Sequence, residues 1–412
     1  MKNNKRYVSA FCIGMSSVLG MSVVYGYTNF YVAFQNATQM THTQIGLLVS
    51  ILGIASTILY FPSGYLADKF NCPKLTWFGL FGTVAIAIGI ACLPKFPLMC
   101  TLYIGFTIFA ILIAWDAQIK LFRMLGTDEE QGKIMSIRAW GRCLPVILIN
   151  FIGSYLLTKL PERTAMTATY LMYAAVILIG TIIAMITFKP VVEQPKSENF
   201  SMKDYGRALK NKDVWMIGLL GFTVYAGYTG TTYLMAYFNE IYGASSAATS
   251  VFATIGKQIG ILSAPVLTWF GARKIKGMSV TKACGLGMIV AAILMLWYVI
   301  VPATNASLYV PSTVVFFIMC FFVIATWSLQ FVPVGEIKLP MDISGSAVGV
   351  ISAFSFVSDC FLMTIYGSLI DNKGLEGYKI IFICTVILFA ICAYACLKLG
   401  KKIAAQSETT AA

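Results

Sequence analysis

Charge is what this sequence has least of. Only 11% of its 412 residues are Asp, Glu, Lys or Arg, against 58% hydrophobic. A water-soluble domain of this size needs far more polar surface, so a soluble enzyme or a soluble binding module is excluded. Histidine is nearly absent. His42 stands alone, in a loop read as lying outside the membrane, which rules out a histidine proton relay and histidine-based metal sites. The chain has no P-loop, no G-x-S-x-G, no H-E-x-x-H and no metal-ligand spacing. ATP hydrolysis, covalent catalysis and a bound cofactor or metal are therefore not expected. The 11 cysteines lack C-x-x-C spacing, and most (Cys12, Cys92, Cys143, Cys320, Cys384, Cys392, Cys396) fall in apolar runs, where they read as small packing residues. The start, MKNNKRYVSAFCIGM, has no signal-cleavage site, and its apolar stretch continues past Val32, so it reads as a retained first helix.

What is present is a run of about twelve apolar segments, each near the roughly 20 residues that a helix needs to cross a bilayer. Approximate spans are 7–34, 43–66, 75–94, 98–122, 134–158, 165–188, 213–238, 246–270, 279–302, 308–333, 344–370 and 378–399. Thr41-His42-Thr43 supplies an N-cap signal before the second. The turn from Pro94 to Pro97 separates the third from the fourth. The expected fold is an all-α membrane protein. Residues 1–188 form a six-helix bundle, 189–212 a cytoplasmic linker with a short surface helix around Met202–Leu209, 213–400 a second six-helix bundle, and 401–412 a disordered tail.

The net charge of +13 invites a nucleic-acid reading, but its distribution excludes one. With the N-terminus inside and sides alternating, five of the 30 Lys and Arg fall outside (Lys95, Lys159, Arg163, Lys373, Lys379). Four lie within membrane segments (Lys120, Arg138, Arg142, Lys257), and the other 21 lie inside. That bias places both termini in the cytoplasm.

A weak internal repeat links the halves. Gly53, Ile58, Leu59 and Pro62 match Gly256, Ile261, Leu262 and Pro265 at an offset of 203. Tyr27-Thr28 matches Tyr228-Thr229, and at a third offset Gly132 falls on Gly345 and Arg123 on Glu336. Their common order supports two related six-helix halves.

The loop after the second helix, Gly64-Tyr65-Leu66-Ala67-Asp68-Lys69-Phe70, resembles the G-x-L-a-D-r motif of the major facilitator superfamily in its usual place. Asp128-Glu129-Glu130-Gln131-Gly132-Lys133 resembles the E-x-x-R-G pattern of the same family, with Lys for Arg. The resemblance covers nearly the whole chain. The stretches Trp115–Arg142 and Glu336–Asp359 look like a bacterial subgroup near the sugar-phosphate and organic-anion permeases. What this implies is a twelve-helix transporter of the bacterial cytoplasmic membrane, working as a monomer by alternating access. It also implies a latch in which Asp68 meets the N-terminus of another helix. Here Gly64, Asp68 and Lys69 would carry that latch, with Arg123 and Glu129 or Glu130 as partners. In the second half Asp68 aligns with Gly271, so the counterpart reads as degraded, and the basic Arg273-Lys274 stands without its acid.

Charges inside membrane segments point to function, since an unpaired one at the bilayer centre costs about 2.5–3.5 kcal/mol or more. Lys257 lies near mid-depth in the eighth span, between Gly256 and Gln258, and reads as an anion-binding cation or as an ion-pair partner of Asp359. Arg138 and Arg142 are one turn apart. Arg142, the deeper, reads as a bidentate substrate ligand or as a partner of Asp116. Arg138 reads as part of the cytoplasmic gate. Asp116, Lys120 and Arg123 share a face of the fourth span and suggest a gating ladder, to which Glu130 and Glu336 are added. Asp116 and Asp359 are buried carboxylates, candidates for proton coupling or ion pairing. Tyr25, Tyr27 and Tyr31, then Tyr225, Tyr228 and Tyr233, with Trp115 and Trp327, sit at heights suited to a substrate cavity or to packing.

The expectation is a secondary transporter, not an enzyme, carrying a small organic anion through a lipid bilayer by proton symport or anion exchange. Three alternatives are weighed: a carrier of neutral or cationic compounds using Asp116 or Asp359, a transporter-like solute sensor, and a membrane enzyme, which would need a hydrophilic catalytic loop that the sequence lacks.

Overall fold

The computed structural model describes residues 4–193, 202–272, 278–301, 306–337, 339 and 341–411. Among the described residues every regular element is helical. Eleven segments are long and apolar enough to cross a membrane. The seventh expected span, 213–238, is interrupted at Tyr233; its first helix, Lys212–Thr232, is long enough but carries five threonines and glycines in its last turns and is less apolar. Large apolar side chains point outward along these helices, as with Ile186 and Ile300, about 70% exposed. Such a surface suits lipid rather than water.

The helices divide into two compact units. Unit 1 holds residues 1–44, 48–199 and 246–251. Unit 2 holds 45–47, 200–245 and 252–412. The division thus differs from a clean cut at the linker: two short helix starts are exchanged.

In unit 1, α1 is Asn4–Val24, α2 Tyr31–Thr38, α3 His42–Lys69, α4 Cys72–Ala91 and α5 Phe96–Phe106. α6 is Asp116–Met124, α7 Gln131–Leu156 and α8 Glu162–Thr187. The caps explain several starts. Thr41 Oγ1 accepts from the Gln44 amide at 3.2 Å while Gln44 Oε1 accepts from the Thr41 amide at 3.1 Å, a reciprocal capping box. Asn71 Oδ1 accepts from the Lys74 amide at 3.0 Å, with Pro73 in the first turn of α4.

Two expected spans are not continuous. The first breaks between Val24 and Tyr31, where Gly26–Thr28 form a tight 3₁₀ turn. The Tyr103 hydroxyl donates to the freed Val24 carbonyl at 2.8 Å. The fourth widens between α5 and α6 into a π-helical stretch, Thr107–Trp115. Its nine residues exceed the single turn in which this conformation is commonly seen, and such bulges concentrate at functional sites.

α1 packs on α7 through glycine. A Cβ at Gly141 would lie 2.2 Å from the Phe11 carbonyl oxygen, and one at Gly14 would lie 2.6 Å from that of Arg138. Only a bare backbone permits this approach, as is common where membrane helices meet.

In unit 2, α9 is Met202–Lys210, α10 Lys212–Thr232, α11 Leu234–Tyr242, α12 Ser246–Ala272 and α13 Val280–Ile300. α14 is Tyr309–Ser328, α15 Val332–Glu336, α16 Met341–Phe356, α17 Leu362–Lys373 and α18 Leu375–Ala411. α10, α13, α14, α16 and α18 form its packed centre. Pro62 and Pro265, matched in the sequence repeat, both sit inside long helices, α3 and α12. The tenth and eleventh expected spans are broken, at 329–331 and at the 3₁₀ turn Val357–Cys360. The tail expected to be disordered continues α18 as helix to Ala411. Its Lys-Lys-Ile-Ala-Ala-Gln start is strongly helix-forming and extends an existing helix, so no new nucleus is needed. Arg273, Lys274 and Lys338 lie outside the described residues.

Candidate functional site

In unit 1, Arg142 is exposed and, among the described residues, enters no ion pair or hydrogen bond. It does not pair with Asp116. Ala139, three residues before it, is small and exposed, while Trp140 and Leu144, two residues to either side, are large and exposed. Leu148, Phe151, Ile152 and Tyr155, also exposed, are large and apolar and suit lipid. A guanidinium twelve residues into a membrane helix is tolerated where it meets water or an anion.

Arg138 behaves differently. Its guanidinium lies over the Phe122 ring, 4.6 Å from the centroid, and Nη1 reaches Met135 Sδ at 3.8 Å. It is packed inside unit 1 and, among the described residues, forms no ion pair.

The charged ladder is re-partnered. Lys120 Nζ forms an ion pair with Asp68 Oδ1 and also donates to the Ala67 carbonyl at 3.4 Å. Arg123, expected to serve Asp68, points to solvent. Its carbonyl accepts from Gln131 Nε2 at 3.0 Å. Glu130 belongs to Arg6: Arg6 Nη1 donates to Glu130 Oε2 at 2.6 Å and Nη2 to Oε1, a two-pronged pair. The Arg6 hydrogen bond is the main reason the Glu130 carboxyl is held below its ordinary value. The physical reason for the exchange is register. Lys120 is one turn beyond Asp116, the level at which α6 meets α3, since a Cβ at Gly64 would lie 3.8 Å from Asp116 Oδ2. Arg123 has already rotated outward. Lys69 lies over the Tyr65 and Phe70 rings, at 5.6 and 5.9 Å.

The unit 1 aromatics are mostly packing. Tyr31 is 1% exposed, stacks on His42 at 5.7 Å and hydrogen-bonds His42 Nδ1 at 2.8 Å. His42 is therefore buried in the first turn of α3 rather than free in a loop, with the Tyr31 hydroxyl as its partner. Tyr27 is buried, 6.3 Å from Tyr25. Trp115 closes the π-helical stretch, meets Tyr60 edge-on at 5.8 Å, and lines a small cavity with Ser16, Ser17, Gly20 and Gln118.

Unit 2 carries the denser site. Tyr228 and Trp327 stack face to face at 5.5 Å and 4°. Tyr225 lies 6.0 Å from Trp327 and 4.9 Å from Phe356, and its hydroxyl donates to Asp359 Oδ2 at 2.9 Å. Asp359 sits in the 3₁₀ turn between α16 and α17, buried. Lys257 is half-buried on α12, next to Gly256, where a Cβ would lie 3.0 Å from Phe316 and 3.1 Å from Cys320 Sγ. Tyr233 is structural: its hydroxyl donates to the Met363 carbonyl at 2.8 Å.

Glu336 supplies what the sequence denied the second half. Its carboxylate accepts from the Val280 and Thr281 amides at 2.9 and 3.1 Å and from Thr281 Oγ1 at 2.5 Å. A carboxylate on the first turn of α13 meets the positive helix end. The helix-terminus device is thus carried by Glu336 rather than by the residue aligned with Asp68. Sequence reasoning also missed Arg6, counted only among the cytoplasmic charges, and Gln330 Oε1 and Ser358 Oγ, buried oxygens with no hydrogen-bond partner among the described residues. The Arg123–Glu336 repeat match was the available signal for the cap.

Comparison with known proteins gives the same architecture. The family model described as Major Facilitator Superfamily matches residues 8–337. Inner membrane protein YqcE of Escherichia coli (strain K12) is 25% identical over 387 residues, covering 91% of this chain and 90% of that protein. Inner membrane protein YihN of the same organism is 23% identical over 364 residues, covering 86% and 85%. Among solved structures, a bacterial homolog of the human lysosomal transporter Spinster, inward-facing and unoccupied, superposes with a TM-score of 0.74 at 11% identity, covering 98% of both chains. A variant of the nucleoside transporter NupG gives 0.72 at 16% identity, covering 97% of this chain and all of that one.

Proposed function

The chain belongs to the Major Facilitator Superfamily, and on that premise we propose that it carries a small organic anion across the inner membrane. It is a multi-pass membrane transporter rather than an enzyme. Arg142 of unit 1 and Lys257 of unit 2 are the cations the substrate meets during alternating access. The reading rests above all on Arg142, an exposed mid-helix guanidinium with no protein partner among the described residues. Arginine offers a planar fork that matches a carboxylate or phosphate bidentately. Tyr228 and Trp327 offer an apolar face for the rest of the solute. Proton symport or exchange for a second anion balances the charge moved.

The test is uptake into proteoliposomes by the full-length chain, preceded by a thermal-shift screen of carboxylates, sugar acids and phosphorylated sugars. A charge-assisted hydrogen bond is worth about 1.5–3 kcal/mol. Arg142→Ala and Lys257→Ala should therefore each weaken binding of the stabilising anion by about tenfold to a hundredfold. Unchanged affinity in both variants refutes the anion reading. A neutral substrate is the second reading, favoured by the parallel Tyr228–Trp327 stack beside the buried Asp359. On that reading Asp359→Asn, not Lys257→Ala, removes binding.

A further inference from the structure

Unit 2 ends in a helix longer than a bilayer is thick. α18 runs 37 residues, from Leu375 to Ala411, about 55 Å at 1.5 Å per residue. The hydrocarbon core of a bilayer is about 30 Å thick, and the stretch from Leu375 to Tyr394 already covers that depth. One face of this stretch is bare of protein: Ile383, Ile387, Ile391 and Tyr394 are all exposed, at helical spacing. The same face continues as Lys398 and Lys401, also exposed. An apolar stripe thus passes through an aromatic residue into two cations, at the level where hydrocarbon gives way to headgroups.

The charge at this end of the helix is of one sign. Between Glu376 and Glu408, α18 carries four lysines and no acid. Lys402 is tied to α10, its Nζ donating to Asp213 Oδ1 and Oδ2 at 2.8 and 2.6 Å. Lys398 and Lys401 enter no ion pair or hydrogen bond among the described residues. Lys398 Nζ lies over the Tyr394 ring, 5.6 Å from its centroid. That contact draws the ammonium back toward the apolar stripe rather than out into water. Lys210, at the end of α9, and Lys212, at the start of α10, are exposed as well. The Trp215 indole N–H donates to the Leu209 carbonyl at 2.7 Å and holds these two helix ends together. At the other end of α18 the charges are mixed, with Lys373 and Lys379 set among Asp371 and Glu376. A one-sided cluster repels itself. The complement of this one is an anion that brings apolar tails of its own.

We propose that the outer face of α18 binds an anionic phospholipid. Lys398 and Lys401 hold its phosphate, and its acyl chains lie along Ile383, Ile387 and Ile391, with Tyr394 at the boundary between the two. A soluble phosphate or carboxylate would meet the lysines but leave the stripe uncovered, so the lipid is the fuller match. Because Lys402 ties the same end of α18 to Asp213, an occupied site braces α18 against α10. The site involves neither Arg142 nor Lys257 and does not depend on which solute is carried.

The probe is dioleoyl phosphatidylglycerol. The purified full-length chain, in a neutral detergent, is titrated with this lipid and separately with dioleoyl phosphatidylcholine, and the thermal midpoint is followed. A saturable rise specific to phosphatidylglycerol is expected, since a ligand that binds only the folded state stabilises it. Lys398→Gln and Lys401→Gln should each raise the half-saturating amount by about fivefold, and the double variant by about thirtyfold. The pair Lys373→Gln and Lys379→Gln, at the far end of α18, should leave it unchanged. If the double variant does not fold, the single substitutions carry the comparison. Equal responses to the two lipids overturn the proposal. So does a phosphatidylglycerol response that is the same in the Lys398 and Lys401 variants as in the unaltered chain. Glycerol phosphate without acyl chains should give no rise. An equal rise with it would mark a site for soluble anions and overturn the lipid assignment.

Discussion

Substituting Gly141 by Ala tests whether the contact between α1 and α7 holds Arg142 in place. The added methyl would lie 2.2 Å from the Phe11 carbonyl oxygen, 3.0 Å from its carbonyl carbon and 3.2 Å from its Cα. Ordinary contact begins near 3.4 Å, so the helices must separate by about 1 Å, and neither obstructing group is a flexible side-chain tip. Overpacking of this kind costs about 1–3 kcal/mol. For a unit of about 200 residues, each kcal/mol lowers the midpoint by about 2–4 °C, giving a fall of about 2–12 °C. Arg142 is the next residue, and a 1 Å displacement of a binding group can cost about a hundredfold in rate. Transport should therefore fall by more than the loss of folded protein. Gly132, on the same helix, is the internal control. A Cβ there meets nothing within 4 Å, and Gly132→Ala should be neutral or stabilising by up to about 1 kcal/mol. The assay is thermal unfolding of both purified variants at one scan rate, with uptake measured in parallel. Equal midpoints for Gly141→Ala and Gly132→Ala would refute the close-packing argument.

The Asp68–Lys120 pair is partly exposed, so Asp68→Asn should change stability by less than about 1 kcal/mol yet slow uptake, and the charge-swapped double variant should recover part of the rate. Wild-type uptake in Asp68→Asn would remove the pair from the gate. The Arg6–Glu130 pair should be acid-sensitive. Because the folded state lowers the Glu130 carboxyl from its ordinary value of 4.5, its stabilisation is fully present above that value. It is lost as the pH falls through the lower folded value. Thermal midpoints from pH 7 to pH 3 should show an acid-side decline that is smaller in Glu130→Gln, and identical slopes would contradict the pairing.

Much of the architecture was legible because bilayer-spanning segments announce themselves by length and apolarity alone. The caps at Thr41 and Asn71 were equally local, needing only neighbouring residues. The helix breaks were not. The signals between Val24 and Tyr31 (Gly26, Thr28, Asn29) and between Phe356 and Leu362 (Ser358, Asp359) are weak: there is no proline, and apolar residues resume on both sides. The breaks exist because distant groups such as the Tyr103 hydroxyl donate to the freed backbone carbonyls, and that is tertiary information. The π-helical stretch Thr107-Ile-Phe-Ala-Ile-Leu-Ile-Ala-Trp115 reads as an ordinary membrane helix, since a wider backbone ladder leaves no compositional trace. Among site residues, the types were readable and their pairings were not. Asp68 was visible as a latch carboxylate, but whether Lys120 or Arg123 meets it depends on rotation about the α6 axis, which a three-residue difference in position decides. Arg6 was hidden by its place among the topology-setting charges, although its near-complete burial sets it apart from them.

The lone imidazole, locked against Tyr31 where α2 hands over to α3, has a practical consequence. A chain with a single histidine offers one aromatic ring of its kind to magnetic resonance, without labelling chemistry or background to subtract. Its ring signal reads the Tyr31 hydroxyl directly. Any parting of that seam while solute is carried would register there as a change in exchange and chemical shift, a spectroscopic window that the composition provides at no structural expense.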